Sequence, residues 1–199
     1  MNAKKKPMTP LVLASSSPYR RELLSRLQLP FSWSAPAIDE TRRPGESAEI
    51  LVRRLAQEKA QALASDFTQN LIIGSDQVAV LNGQIIGKPH DFARAQAQLQ
   101  AASGAAVTFL TGLALLNSAT NSWQIDCIPF TVHFRQLSEA SISRYLEAEQ
   151  PFDCAGSFKA EGLGVSLFRA TEGADATSLI GLPLIRLVDM LLNEGVQIP

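Results

Sequence analysis

Leu11 to Ala14 is a short apolar run, and the residues that follow, Ser15-Ser16-Ser17-Pro18-Tyr19-Arg20-Arg21, turn it directly into a helix. Ser17 suits the N-cap, because its hydroxyl can accept from an unpaired backbone N–H. Pro18 suits the first helical position, where a missing N–H costs nothing. A strand that feeds a helix through a serine turn restricts the chain to folds containing a βα corner. Such a corner attracts anions through its unpaired N–H groups and the positive end of the helix dipole, and Arg20 and Arg21 add permanent charges with forked donors. Phosphate is its natural ligand. A capped helix with two solvated arginines accounts for the same residues as well, so the corner alone does not decide between the two.

The rest of the chain continues the alternation of strand and helix. Ser47 is a candidate cap for an amphipathic helix over Ala48–Ala64, with Ile50, Leu51, Leu55, Ala62 and Leu63 among charged residues and Arg53, Arg54 and Lys59 on the polar side. Leu71-Ile72-Ile73 reads as a buried strand ended by Gly74, which delivers Ser75, Asp76 and Gln77 to a loop. Asn82-Gly83, between Val78–Leu81 and Gln84–Ile86, signals a hairpin whose second arm ends at Gly87-Lys88-Pro89. Phe92–Ala102 reads as a helix, and Val107–Leu116 with Trp123–Phe134 as a long antiparallel pair. A helix from Ser138 to about Glu149, a strand over Val165–Phe168 and a closing helix over Leu182–Asn193, with Gly195 just beyond it, complete the pattern. The class predicted is α/β with a mixed central sheet.

The 199 residues suffice for one sizeable core, and 46% hydrophobic with 19% charged residues is the make-up of an ordinary globular protein. One domain over residues 10–199 is expected, after a frayed, solvated start at residues 1–9 that contains Lys4-Lys5-Lys6. A formal net charge of −1 gives no broad positive field, which disfavours a nucleic acid partner. Cys127 and Cys154 are too few and too separated for a disulfide framework or a zinc site. No secretory signal or apolar span of about 18 residues is visible, so a cytoplasmic protein without a membrane partner is expected. The chain lacks a phosphate-loop pattern, a dinucleotide fingerprint and a nucleophile elbow, and His90 and His133 stand apart from each other and from both cysteines. Trp33, Trp123 and the nine phenylalanines read as core, and Cys154 as a small buried apolar residue.

After the serine-arginine corner come, in order, Asp39-Glu40, Arg53-Arg54-Leu55-Ala56-Gln57-Glu58-Lys59-Ala60, Gly74-Ser75-Asp76-Gln77-Val78, Gly87-Lys88-Pro89 and Ala155-Gly156-Ser157-Phe158-Lys159-Ala160-Glu161-Gly162. From about Leu11 to about Leu192 this set resembles the Maf family of nucleotide pyrophosphatases. Gly74–Val78 and Ala155–Lys159 are worded as in its YceF-like branch, which acts on 7-methyl-GTP. The resemblance implies an elongated sheet with a cleft between two lobes, as in Maf and ITPase-like folds. It also implies hydrolysis between the α and β phosphates, clearing modified nucleotides from the pool. That cleavage needs cations for the spreading charge, a divalent metal, and a group that makes water nucleophilic. The resemblance makes Asp76 the catalytic proton acceptor. Glu40 and Asp76 would be the ligands of Mg²⁺, or of Mn²⁺ or Co²⁺ in its place. Ser15, Ser17, Arg20, Arg21, Lys59 and Lys88 would bind phosphate, with Arg53 a secondary candidate. Apart from the resemblance, Asp76 reads as a turn carboxylate, Lys59 and Lys88 as surface charges and Asp39-Glu40 as a solvated pair.

Three positions separate this branch from its thymidine-type sibling: Tyr19, Gln77 and Glu161. N7-methylation makes guanine cationic, and a cationic ring is attracted to the face of Tyr19 and the charge of Glu161. The sibling pattern has arginine and glutamine at those two places, whereas YceF-like chains more usually carry tryptophan where this one has Tyr19. Gln77 would hydrogen-bond the sugar or the purine edge. A homodimer is compatible with this reading. The alternative function is a nucleotide-binding regulator linked to cell division with little or no turnover. An RNA binder using Arg20, Arg21, Arg53 and Arg54 is a weaker third reading.

Overall fold

In the computed structural model, which describes residues 9–198, the strand at the serine corner is β1, Leu11–Ala14, and the helix it feeds is α1, Pro18–Ser25; the lysine run at 4–6 lies outside the described residues. There follow β2 (Phe31–Ser34), α2 (Ala48–Gln61), β3 (Leu71–Leu81), β4 (Gln84–Ile86) and α3 (Phe92–Ala102). Next come β5 (Ala106–Asn117), β6 (Ser122–Phe134), α4 (Glu139–Glu149), β7 (Phe168–Glu172), α5 (Thr177–Ile180) and α6 (Leu184–Asn193). Short 3-10 turns occupy Ala155–Ser157 and Leu163–Leu167.

All seven strands form one mixed sheet in the order β2-β1-β3-β5-β6-β7, with β4 on β3. β1 runs parallel to β2 and β3, and every other pairing is antiparallel. The Asn82-Gly83 turn forms as its sequence requires, with both residues at positive φ, +50° and +77°, the conformation a two-residue hairpin loop demands. The long strands β3, β5 and β6 run through the two largest of the apolar clusters among the described residues. One packs Leu11, Leu13, Leu23, Leu71, Ile73, Leu113 and Leu187 between β1, α1, β3, β5 and α6. The other packs Ala79, Leu99, Phe109, Phe134, Leu146 and Phe168 beneath α3 and α4.

The register places the cleft between these cores. Along one edge of β3, β1 pairs with Leu71–Gly74 and stops, and β4 begins only at Ala79. Residues 75–78 therefore have a strand neighbour only on the β5 side, at the carboxyl end of β1, where open α/β sheets bind ligands. Two glycines let α2 close over this region. A Cβ on Gly74 would lie 2.0 Å from the carbonyl oxygen of Ala56, and one on Gly112 would lie 2.1 Å from that of Val52. The helix thus rests almost directly on β3 and β5, one turn away from Lys59.

Four expectations need correction. Gly74 is a close-contact glycine inside β3 rather than the end of a strand, so Ser75, Asp76 and Gln77 are mid-strand residues rather than loop residues. The expected strand at Val165–Phe168 begins only at Phe168. Its first residues belong to a 3-10 turn, because the Gly164 N–H bonds the Lys159 carbonyl and Val165 faces solvent. The closing helix starts at Leu184, after the separate turn α5. Trp33 is half-exposed rather than core, and it lies on the short edge strand β2 that the sequence pattern did not reveal.

Candidate active site

A cleft of about 490 Å³ opens at the gap in the sheet, within the usual ~300–1,000 Å³ of small-molecule sites. Ser15, Ser17, Tyr19, Arg20, Glu40, Lys59, Asp76, Gln77, Lys88 and Glu161 all line it. Arg21 does not. Its guanidinium lies 4.0 Å from the centre of the Trp33 ring, a cation–π contact that occupies the charge expected to meet phosphate. Arg53 is also elsewhere, donating to Glu49 at 3.0 Å and to the Ile125 carbonyl at 3.2 Å.

The corner is built by its own hydroxyls. Ser15 Oγ accepts from the Ser17 N–H at 3.1 Å, and Ser17 Oγ accepts from the Arg20 N–H at 3.4 Å, so Ser17 is the N-cap. Each hydroxyl keeps its own proton to donate to a ligand oxygen. Arg20 is aimed by a carbonyl: its Nε donates to Gly181 O at 2.7 Å, and Ser75 Oγ donates to the same oxygen at 2.9 Å. Burial lowers the guanidinium pKa, while the carboxylates of Asp76 and Glu40 act in the opposite direction.

The close seat of α2 puts Lys59 inside the protein. Its Nζ lies 2.6 Å from Asp76 Oδ1 and 3.1 Å from Glu40 Oε1, and Lys59 and Asp76 are only 6% and 7% exposed. Two carboxylates converge on one cation, which compensates the cost of burying charge. Among the described residues there is no cluster of three or more His, Cys, Asp or Glu able to hold a metal; Glu40 and Asp76, both facing Lys59, are two carboxylates that could offer oxygen ligands. Such a set suits a hard divalent ion that keeps waters and substrate oxygens as its other ligands.

Gln77 is fixed from behind. Its Nε2 lies within hydrogen-bond distance of Thr111 Oγ1 (2.9 Å) and of the carbonyls of Ser178 (2.6 Å) and Leu179 (3.2 Å), so the nitrogen must be the atom facing them. Only its carbonyl oxygen is left to meet a ligand, as an acceptor.

Around Tyr19 the cleft changes character. Burial raises the phenol pKa, the Cys154, Asp153 and Glu161 side chains raise it further, and Lys159 opposes them. Cys154, expected to be buried, is half-exposed on the cleft wall, with its thiol pushed up to about 12 chiefly by burial. Lys159 was not singled out from the sequence, although it stands two residues before Glu161. Its backbone N–H donates to Tyr145 Oη at 3.0 Å, and its Nζ donates to the Glu149 carbonyl at 3.2 Å. Glu149 Oε2 in turn accepts from the Leu163 N–H at 2.8 Å, so α4 holds the 159–163 loop from two sides. Phe109 and Phe158, edge to face at 5.3 Å, form the apolar floor.

The family model described as Maf-like protein matches residues 10–194. A protein named 7-methyl-GTP pyrophosphatase from Pseudomonas syringae pv. tomato is 72% identical over 192 residues, covering 96% of this chain and all of the relative. One of the same name from Pseudomonas aeruginosa is 71% identical over the same shares of both chains. Among solved structures, a HAM1 protein from Coxiella burnetii aligns over 65% of this chain and 75% of that one, at 18% identity and a TM-score of 0.46. No helix among the described residues is long and apolar enough to cross a membrane.

Proposed function

The chain belongs to the Maf family, and from that premise we propose that it hydrolyses 7-methyl-GTP to 7-methyl-GMP and pyrophosphate, clearing a modified nucleotide from the cytoplasmic pool. The observation that carries this reading is the buried Lys59 joining Asp76 and Glu40, with Arg20 in the same cleft wall. Ser15, Ser17, Arg20, Lys59 and Lys88 hold the triphosphate and neutralise the charge that spreads in the transition state. Asp76, rigid in the middle of β3, accepts a proton from the water that attacks the α phosphorus as pyrophosphate leaves. Glu40 and Asp76 would hold Mg²⁺, with Mn²⁺ or Co²⁺ as substitutes; such an ion, when bound, lowers the negative charge of the phosphates. At the other end of the cleft, Tyr19 and Glu161 favour a cationic base, and the Gln77 carbonyl accepts from the nucleotide.

A screen of canonical and modified nucleoside triphosphates, with and without chelator and scored for pyrophosphate, tests this. The expected result is metal-dependent release of pyrophosphate, fastest from 7-methyl-GTP. Orthophosphate as first product, or an unchanged rate after chelation, would contradict it.

A further inference from the structure

Glu40 lies on an irregular segment between β2 and α2, yet the residues after it are tied down by one buried ion pair. Arg54 of α2 meets Glu46 through two nitrogens, Nε to Oε1 at 2.6 Å and Nη2 to Oε2 at 2.9 Å, and the side chains are only 12% and 4% exposed. The same Nη2 donates to the carbonyl of Thr41, next to Glu40, at 3.2 Å, and Nη1 reaches Glu58 at 2.9 Å. Glu46 also accepts from the Arg43 N–H at 3.0 Å, and its own carbonyl accepts from Arg42 Nε at 2.8 Å. One guanidinium thus touches both ends of the 41–46 loop and its parent helix. That same helix carries Lys59, to which Glu40 is paired.

We propose that Arg54 and Glu46 form a clamp that positions Glu40, so that its carboxylate can leave Lys59 for a divalent cation while its backbone stays in place. A planar fork is needed here because one residue must span two carboxylates and a carbonyl, which a lysine cannot do. The inference rests on the metal-dependent reading of the site for its consequence, although the clamp itself does not.

Two measurements on the full chain separate those levels. Amide hydrogen exchange over residues 40–47 should quicken at least about tenfold in Arg54→Ala and partly in Arg54→Lys. It should stay near wild type in Leu99→Ala, a core truncation under α3 that lowers stability without touching this loop. Retained protection in Arg54→Ala would overturn the clamp, whatever the activity. Then Mn²⁺ binding by calorimetry and the Mg²⁺ concentration for half-maximal rate should each weaken about tenfold in Arg54→Ala and stay unchanged in Leu99→Ala, with nucleotide KM at saturating metal within about twofold of wild type. Equal metal dependence in the two variants would refute the positioning role. Loss of loop protection in Arg54→Ala, alongside a wild-type chain that keeps its loop protection but shows no pyrophosphatase activity, would leave the clamp standing and remove only the proposed reaction.

Discussion

At the end of the cleft where Arg20, Lys59 and Asp76 meet, these three charged side chains come from regular elements, the first turn of α1, the last turn of α2 and the middle of β3, and Glu40 alone joins them from a loop. At the end surrounding Tyr19, the partners Asp153, Cys154, Lys159 and Glu161 come from the loops beside two 3-10 turns, which α4 fastens through Tyr145 and Glu149. The first end, Glu40 apart, is pinned by the Gly74 contact with α2 and by the buried Lys59–Asp76 pair. The second is held by a few hydrogen bonds from α4. Under the proposed function, charge handling falls to the end built from regular elements and choice of base to the end built from loops.

Asp76 is where this division would break first. Asp76→Asn should lower kcat at least about a hundredfold while nucleotide still binds through Arg20 and Lys88. Wild-type turnover by a folded variant would return Asp76 to a structural partner of Lys59. Next in size, Glu161→Gln should cut the preference for 7-methyl-GTP over GTP roughly ten- to a hundredfold in kcat/KM, the scale of one charge-assisted contact, and Tyr19→Ala should move it the same way. Equal losses on both nucleotides would instead make Glu161 a general support.

The rigid end can also be tested mechanically. Gly74→Ala would drive a methyl into the Ala56 carbonyl, so about 1–3 kcal/mol of stability should be lost in chemical denaturation, with the rate falling as Lys59 is pushed from Asp76. Unchanged stability would mean that α2 sits higher than the contact implies. The smallest effect expected is at low pH. Glu46, held by Arg54, has its pKa lowered from 4.5 to about 2. Its contribution to stability is therefore complete above about pH 4.5 and is lost as the pH falls towards 2. Thermal melts of wild type and Glu46→Gln should differ at pH 7, and the gap should shrink below about pH 4.5 until most of it is gone at about pH 2; a constant gap would show that the carboxylate is not responsible.

Local chemistry is what the sequence made legible. Ser17 before Pro18, Ser47, Ser138 and the Asn82-Gly83 turn each declare themselves within four residues, and all four stand where expected. Gly74 gives no local sign of its role, because the helix whose close approach it permits comes from eighteen residues earlier in the chain, at Ala56. Arg21 and Trp33 are twelve positions apart and meet only once β2 pairs with β1, so neither the lost phosphate contact nor the exposed ring has a local signal. The Arg54–Glu46 pair spans eight residues and a loop, outside the helical spacing at which ion pairs can be read. Among the cleft residues, the family pattern pointed to Glu40, Lys59 and Lys88, which composition and spacing alone read as solvated charges.

The division of labour between the two ends is tested most directly by measuring nucleotide affinity and single-turnover rate for Asp76→Asn and Glu161→Gln side by side, with 7-methyl-GTP and GTP. The account predicts that Asp76→Asn loses rate on both nucleotides but keeps affinity and the preference for the methylated base, whereas Glu161→Gln keeps its rate on GTP and loses the preference. If Asp76→Asn also erased the preference, or Glu161→Gln slowed both nucleotides alike, the two ends would act as one site and the division would be wrong.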